Sequence, residues 1–301
     1  MLQQYDPRNE NLLIYINGTL HPRAEAKISV FDSAVQGGDA VWEGLRVYHG
    51  RIFCLDRHLQ RLQDSAHALA FEAVPSTQEI RQALFDTLRA NSMREGVHIR
   101  LTLTRGEKIT SGMDPRLNQS GCTLIILPEW KPPVYPDEIR LVTTSVRRNS
   151  PAHLDSKIHH NNLLNNILAK IEANVAGADA GLMLDAEGFV SEANGVNIFC
   201  AKKGTVYTPF ADACLPGITR AVVLEICDEL GIPAREKRLS LTELYTADEV
   251  FVTGTMGELT RVGRIDGRVI QNPGGGTSTL DRIRARFAEW TQSQGTAIPS
   301  N

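Results

Sequence analysis

Long apolar runs are missing from this 301-residue chain, and none approaches the length of a membrane-spanning helix. The opening residues Met1-Leu2-Gln3-Gln4-Tyr5-Asp6 lack both the basic start and the apolar core of a secretory leader, so a cytoplasmic protein is expected. Charge of one sign is missing too. With 32 basic against 35 acidic residues the net charge is −3, which gives no electrostatic case for nucleic acid or an anionic membrane. Five scattered cysteines (Cys54, Cys122, Cys200, Cys214, Cys227) form no CxxC pair and no metal-ligand spacing, and they read as reduced thiols. Neither a strand–GxGxxG–helix segment nor a P-loop is present, which weakens a nucleotide-binding reading. Gly274-Gly275-Gly276 is not a phosphate loop, because no strand leads directly into it and no Lys-Thr follows; it reads as a surface turn. No fixed-period repeat stands out.

What is present is a globular composition, 42% hydrophobic and 22% charged, long enough for two domains. Asn17-Gly18 between Leu13–Ile16 and Thr19-Leu20 predicts a hairpin. Residues 40–48 read as a strand turned by His49-Gly50 into Arg51–Cys54. Asp56 is placed as the cap of a helix whose Leu59, Leu62, Ala66 and Leu69 form one apolar face. A helix near 77–92 precedes the alternating strand 97–104 and the apolar strand 122–127. Lys131-Pro132-Pro133-Val134-Tyr135-Pro136 breaks the pattern, so the expected division is a smaller domain 1–130, a connector 131–138 and a larger domain 139–301. In the second half, strands near 139–144, 180–184 and 249–253 mix with helices near 162–176 and 218–230. The expected class is therefore mixed α/β, or α+β, without a repeated βαβ beat.

Chemistry concentrates in three places. Glu192, in Ser191-Glu192-Ala193-Asn194-Gly195, is a carboxylate at a strand end among small residues. Leu215-Pro216-Gly217-Ile218-Thr219-Arg220 starts a helix, whose first amides can hold an anion. Thr253-Gly254-Thr255-Met256-Gly257-Glu258 follows an apolar strand. It offers bare amides and a hydroxyl, and Thr255 with Glu258 also fits a capping box at a helix start. Each has a plain structural reading as a turn or a cap. Together, a carboxylate for a cationic ring nitrogen and a helix start for a phosphate suit pyridoxal phosphate. Lys157, between a Pro-containing loop and an amphipathic helix, reads either as a solvated loop charge or as the upstream amine that Schiff-base chemistry needs. Its neighbours His159 and His160 invite a metal reading, but no third ligand has suitable spacing.

With these segments in this order, the chain resembles the class IV, fold-type IV pyridoxal-phosphate aminotransferases from about Ile14 to about Trp290. The resemblance implies a two-domain enzyme like D-amino acid aminotransferase in fold, with the cofactor in the interdomain cleft and a homodimeric or higher assembly. It makes Lys157 the Schiff-base lysine and proton shuttle, and Glu192 the partner of the ring nitrogen. Arg61, Gly217, Ile218, Thr219, Gly254 and Thr255 become phosphate-side residues, and Leu215 packs on the ring. Val41-Trp42-Glu43-Gly44-Leu45-Arg46 and His98-Ile99-Arg100 look like the branched-chain subgroup, which makes Trp42, Gly44, His98, Arg100 and Met256 candidate substrate residues. Departures are His98 for the usual tyrosine, Gly37 where a pocket tyrosine is common, and Asn162 about where a tyrosine bonds the ring oxygen. The implied reaction is transamination between an L-amino acid, branched-chain or otherwise apolar, and 2-oxoglutarate. A D-amino acid or (R)-amine transaminase is the nearest alternative, kept open by Thr104-Arg105-Gly106. An aminodeoxychorismate lyase or a non-catalytic cofactor-binding homologue stands further off.

Overall fold

The computed structural model describes residues 3–271 and 278–300, so the Gly274-Gly275-Gly276 turn lies outside the described residues. Two compact units result. The first holds the chain up to Pro132, with Ile158–Asn162 and the described residues from Thr291 on; the second holds Pro133–Lys157 and Leu163–Trp290.

The first unit contains β1 (Leu13–Ile16), β2 (Thr19–Pro22), α1 (Ser33–Gly37), β3 (Ala40–Tyr48), β4 (Arg51–Ile52), α2 (Leu55–Ala68), α3 (Thr77–Ala90), β5 (Val97–Thr104) and β6 (Thr123–Trp130). The second contains β7 (Glu138–Arg147), α4 (Leu164–Val175), β8 (Ala180–Leu184), β9 (Val190–Ala193), β10 (Asn197–Lys202), β11 (Thr205–Thr208) and α5 (Ile218–Glu229). It continues with β12 (Ala234–Glu236), α6 (Leu241–Tyr245), β13 (Glu249–Gly254), β14 (Glu258–Ile265), β15 (Arg268–Val269) and α7 (Thr279–Ser293). Finally β16 (Thr296–Ala297) returns to the first unit.

A seven-stranded sheet organises the first unit, in the order β16-β4-β3-β5-β6-β1-β2. Its β1–β2 hairpin turns at Asn17 and Gly18, both at positive φ (43° and 92°), the conformation an Asn-Gly pair tolerates best. Strands β3 and β5 pair antiparallel from Ala40↔Thr104 to Val47↔Val97. Side chains alternate across a strand, so Val41, Leu45 and Val47 join Ile99, Leu101 and Leu103 in the core with Leu59 and Leu62 of α2 and Leu84 and Leu88 of α3. The opposite face of the same strands carries Trp42, Gly44, Arg46, His98 and Arg100. Helix α3 begins with a capping box between Ser76 and Glu79. Helix α2 does not start as expected from the sequence. Its N-cap is Cys54 at φ 52°, and Asp56 lies inside the first turn, paired with Arg81 at 2.5 Å.

Nine strands form the sheet of the second unit, in the order β12-β11-β10-β13-β14-β7-β8-β9, with β15 added on β14. Ile139, Leu182, Ile198, Val250, Val252 and Val262 belong to its buried core. Asp185 closes the β8–β9 turn by accepting from the backbone N–H groups of Glu187 and Phe189. Contrary to the capping-box expectation, Thr255 to Glu258 do not open a helix. They form the tight turn of the β13–β14 hairpin, in which Gly254 pairs with Glu258. The T-x-x-E pattern is local, whereas the apolar alternation after it lets β14 complete a sheet between β13 and β7, and sheet pairing wins. On α4, Leu164, Ile167, Leu168, Ile171 and Val175 form an apolar row that stays exposed. No helix among the described residues is long and apolar enough to cross a membrane.

Candidate active site

In the second unit, β9 carries Glu192 into the interior at 4% exposure. The Arg148 guanidinium donates from Nε to Glu192 Oε1 at 2.5 Å, and Asn197 Nδ2 lies 3.4 Å from Glu192 Oε2. Burial raises the pKa of Glu192 above the ordinary carboxylate value, opposed by the charge and hydrogen bond of Arg148 and by the backbone N–H of Leu215. Asn197 also donates to the Leu215 carbonyl at 2.9 Å, so one side chain joins the carboxylate to the chain entering α5.

Gly217 is the N-cap of α5, and among the described residues no side chain caps the helix. The amides of the first turn, from Ile218 and Thr219, are thus the kind that bind an anion. A Cβ on Gly217 would sit 2.0 Å from Asn197 Oδ1, so only glycine lets α5 begin against Asn197. On the neighbouring strand Asn197 pairs with Thr253, whose buried hydroxyl has no hydrogen-bond partner among the described residues. Gly254 packs against Val196 so closely that a Cβ would meet Val196 Cγ1 at 2.9 Å. Glu192, Leu215 and Gly217 are thereby joined through Asn197, with Ile218 and Thr219 following on α5, while Gly254 ends the adjacent strand β13 and Thr255 and Met256 lie in the turn after it. Lys157 lies in a turn with its side chain exposed; its N–H donates to Asp155 Oδ1 at 3.0 Å, and the buried Ser156 beside it donates to the Asn149 carbonyl at 2.5 Å.

The first unit gathers the other expected residues. Register opposes Gly44 to Arg100 and Arg46 to His98, so Trp42, Gly44, His98 and Arg100 share one face. The Arg100 guanidinium lies 3.6 Å from the Trp42 ring centroid and donates to Asn161 Oδ1 at 2.5 Å. A Cβ at position 44 would press on His98 Nε2 at 3.3 Å, so glycine makes room for that ring. Burial, reinforced by Lys131, Arg46 and Arg100, pushes the His98 pKa down to about 3, while burial brings Arg100 down to about 10. At neutral pH this face therefore presents a neutral imidazole and a guanidinium that is still charged.

Arg61 is placed by a contact that sequence reasoning missed. Glu43 is in phase with Val41 and Leu45, and so points under α2 into the core. There it accepts from Arg61 Nε at 2.8 Å, Arg61 Nη2 at 2.7 Å, His58 Nδ1 at 2.7 Å and His159 Nδ1 at 3.1 Å. Burial alone would raise its pKa, but His159 and Arg61 hold it well below the usual carboxylate range. His159 is pushed down to about 4, by burial first and then by the Arg61 and His58 charges that partly cancel Glu43. The signal was available: a glutamate at a core position of an alternating strand needs a cation. The five residues after Lys157 lie along β3, with the Trp42 N–H donating to the His159 carbonyl at 2.9 Å and the Asn161 N–H to Ala40 O at 2.7 Å.

The family model for amino-transferase class IV matches residues 40–265. Branched-chain-amino-acid aminotransferase-like protein 2 of Arabidopsis thaliana is 57% identical over 296 residues, covering 98% of this chain and 53% of that protein. The chain thus spans about half the length of that relative. A putative branched-chain-amino-acid aminotransferase of Methanocaldococcus jannaschii is 42% identical over 277 residues, covering 92% of this chain and 95% of that one. Among solved structures, a T.th. branched-chain amino acid aminotransferase complexed with N-(5'-phosphopyridoxyl)-L-glutamate superposes with a TM-score of 0.86 at 34% identity, covering 94% of this chain and 95% of that one.

Proposed function

We infer, because this chain belongs to the amino-transferase class IV family, that it transfers an amino group from an L-amino acid with a branched or otherwise apolar side chain to 2-oxoglutarate, with pyridoxal phosphate as cofactor. The observation that carries this reading is the sheet edge where buried Glu192 and the uncapped start of α5 are tied together by Asn197. One supplies an anion for a cationic ring nitrogen, and the other supplies amides for a phosphate. The two needs of this cofactor are met by residues already fixed to each other, so the chain fits it.

Gly217, Ile218, Thr219, Gly254 and Thr255 are assigned to the phosphate, with Arg61 as a further cation and Leu215 as packing for the ring. When bound, the cofactor supplies the electron-withdrawing ring that stabilises negative charge at the substrate Cα. Lys157 Nζ removes the Cα proton and holds it for return; a turn anchored through Asp155 and Ser156 gives that amine a defined origin. Trp42, Gly44, His98, Arg100 and Met256 are assigned to the substrate. On the face of β3 and β5, the neutral His98 ring and Trp42 offer contact without charge, and Arg100 offers a fork for a carboxylate, which suits an acceptor with a second acid group. The phosphopyridoxyl-glutamate held by the T.th. relative supports glutamate and 2-oxoglutarate as the second pair.

Arg105, which kept the D-amino acid reading open, is occupied: it donates to Asp39 at 2.6 Å and to the carbonyls of Leu69 and Ala70. A homodimer is part of the same proposal, supported by the exposed apolar row on α4. Incubation of the cofactor-loaded protein with 15N-labelled L-leucine and 2-oxoglutarate tests the reaction. Labelled glutamate is expected from the L and not the D isomer; label transferred only from D-leucine, or from neither, overturns the reading.

A further inference from the structure

A line of hydrogen bonds crosses the second unit behind Glu192. Asn165, in the first turn of α4, accepts from Arg148 Nη1 at 3.2 Å and from the Asn149 N–H at 3.3 Å, while its amide donates to the Arg147 carbonyl at 2.8 Å. The Arg148 backbone N–H is fixed on the Leu184 carbonyl at 2.9 Å, and its Nε meets Glu192 Oε1 at 2.5 Å. Arg148 and Glu192 are both nearly inaccessible, at 6% and 4%. The Glu192 Oε2 side is the loosely held one, with Asn197 at 3.4 Å.

Each partner of the pair has a different consequence. A glutamate this deeply buried keeps its charge only if a cation shares the burial, because desolvation otherwise favours the protonated acid. A protonated Glu192 could not retain a proton on a facing ring nitrogen. We propose that Arg148 is a positioning residue for the transamination site: it holds Glu192 as a carboxylate and leaves Oε2 presented to the cofactor ring nitrogen. This rests on the reading of Glu192 given above. Arg148 touches neither substrate nor cofactor in this account and acts only through Glu192. Lysine could replace its charge but not the forked geometry that spans Glu192 and Asn165.

The test uses protein loaded with pyridoxal phosphate labelled with 15N in the ring, read by the ring-nitrogen chemical shift and by the cofactor dissociation constant. Wild type is expected to show a protonated ring nitrogen. Arg148→Met and Glu192→Gln are each expected to move the shift to that of an unprotonated pyridine and to weaken cofactor binding on the order of 10- to 100-fold. Arg148→Lys is expected to recover most of the protonated shift. A residue with only a structural role would lower the melting temperature and leave the shift alone, and that result overturns the proposal. If Arg148→Met does not fold, Arg148→Met/Glu192→Gln, which removes both buried charges, is compared with Glu192→Gln. Equal shift and affinity support action through Glu192, and a further loss overturns it. Wild-type protein that retains no labelled cofactor contradicts the underlying reading of the site instead.

Discussion

Acid should unfold the first unit earlier than its carboxylates alone would dictate, and His98 is the residue to test. Its ring is 7% exposed, and the Arg46, Arg100 and Lys131 charges around it all oppose an imidazolium. Glu129, opposite it in register on β6, is engaged by Lys131 at 3.7 Å. The folded pKa is depressed to about 3 from 6.5. The unfolded chain therefore binds the extra proton first, and stability present above pH 6.5 is lost as pH falls toward 3. Between pH 7.5 and pH 5 this one group should cost about 2 kcal/mol, from roughly 1.5 units of unfolded-state protonation at about 1.36 kcal/mol each. Urea titrations of wild type and His98→Phe at both pH values measure it. Fluorescence is a suitable probe, because Trp42 and Trp130 lie in this unit. Whatever the substitution costs at the higher pH, the gap between the two proteins should shift by about 2 kcal/mol in favour of the variant at the lower one. A gap that stays constant would mean that His98 is solvated and titrates alike in both states, and a gap that shifts toward wild type would mean that it is already charged in the native state; either result would refute the reasoning.

Two further expectations concern the same unit. Glu43→Gln takes the anion away from Arg61, His58 and His159 and strands a cation that is 13% exposed, so a loss of about 3–5 kcal/mol in urea-unfolding stability is expected; less than about 1 kcal/mol would contradict the cluster's role. Gly106→Ala places a Cβ 1.8 Å from the Gly121 carbonyl at φ 99°, whereas Gly18→Ala at φ 92° meets nothing within 4 Å. Thermal melts should show the first clearly more damaging than the second, which carries only the roughly 1 kcal/mol backbone penalty; equal losses would refute the steric account.

Much of this fold was legible because its signals are periodic. The alternation of Val97 to Thr104, and the Asn17-Gly18 and His49-Gly50 pairs, specify strands and reversals without reference to anything distant. What misled was local chemistry with two readings. Asp56 looks like a cap although Cys54 begins the helix, and Thr255-Met256-Gly257-Glu258 looks like a capping box although it joins two paired strands. Glu192 and the α5 start were recognisable as residue types in a telling order, and Asn197 now shows how they are joined. Arg148 reaches Glu192 across 44 residues and His159 reaches Glu43 across 116. No periodicity connects residues so far apart, so the ion pairs at Glu192 and Glu43 had to come from the folded chain.

The most direct test of the proposed reaction is the visible absorption of the cofactor-loaded protein while L-leucine is titrated without any oxo acid. Wild type is expected to lose the cofactor's visible band saturably and to regain it on addition of 2-oxoglutarate, and Lys157→Ala is expected to show no such loss. A band that L-leucine leaves unchanged in wild type, or that it bleaches equally in Lys157→Ala, would contradict the proposed reaction.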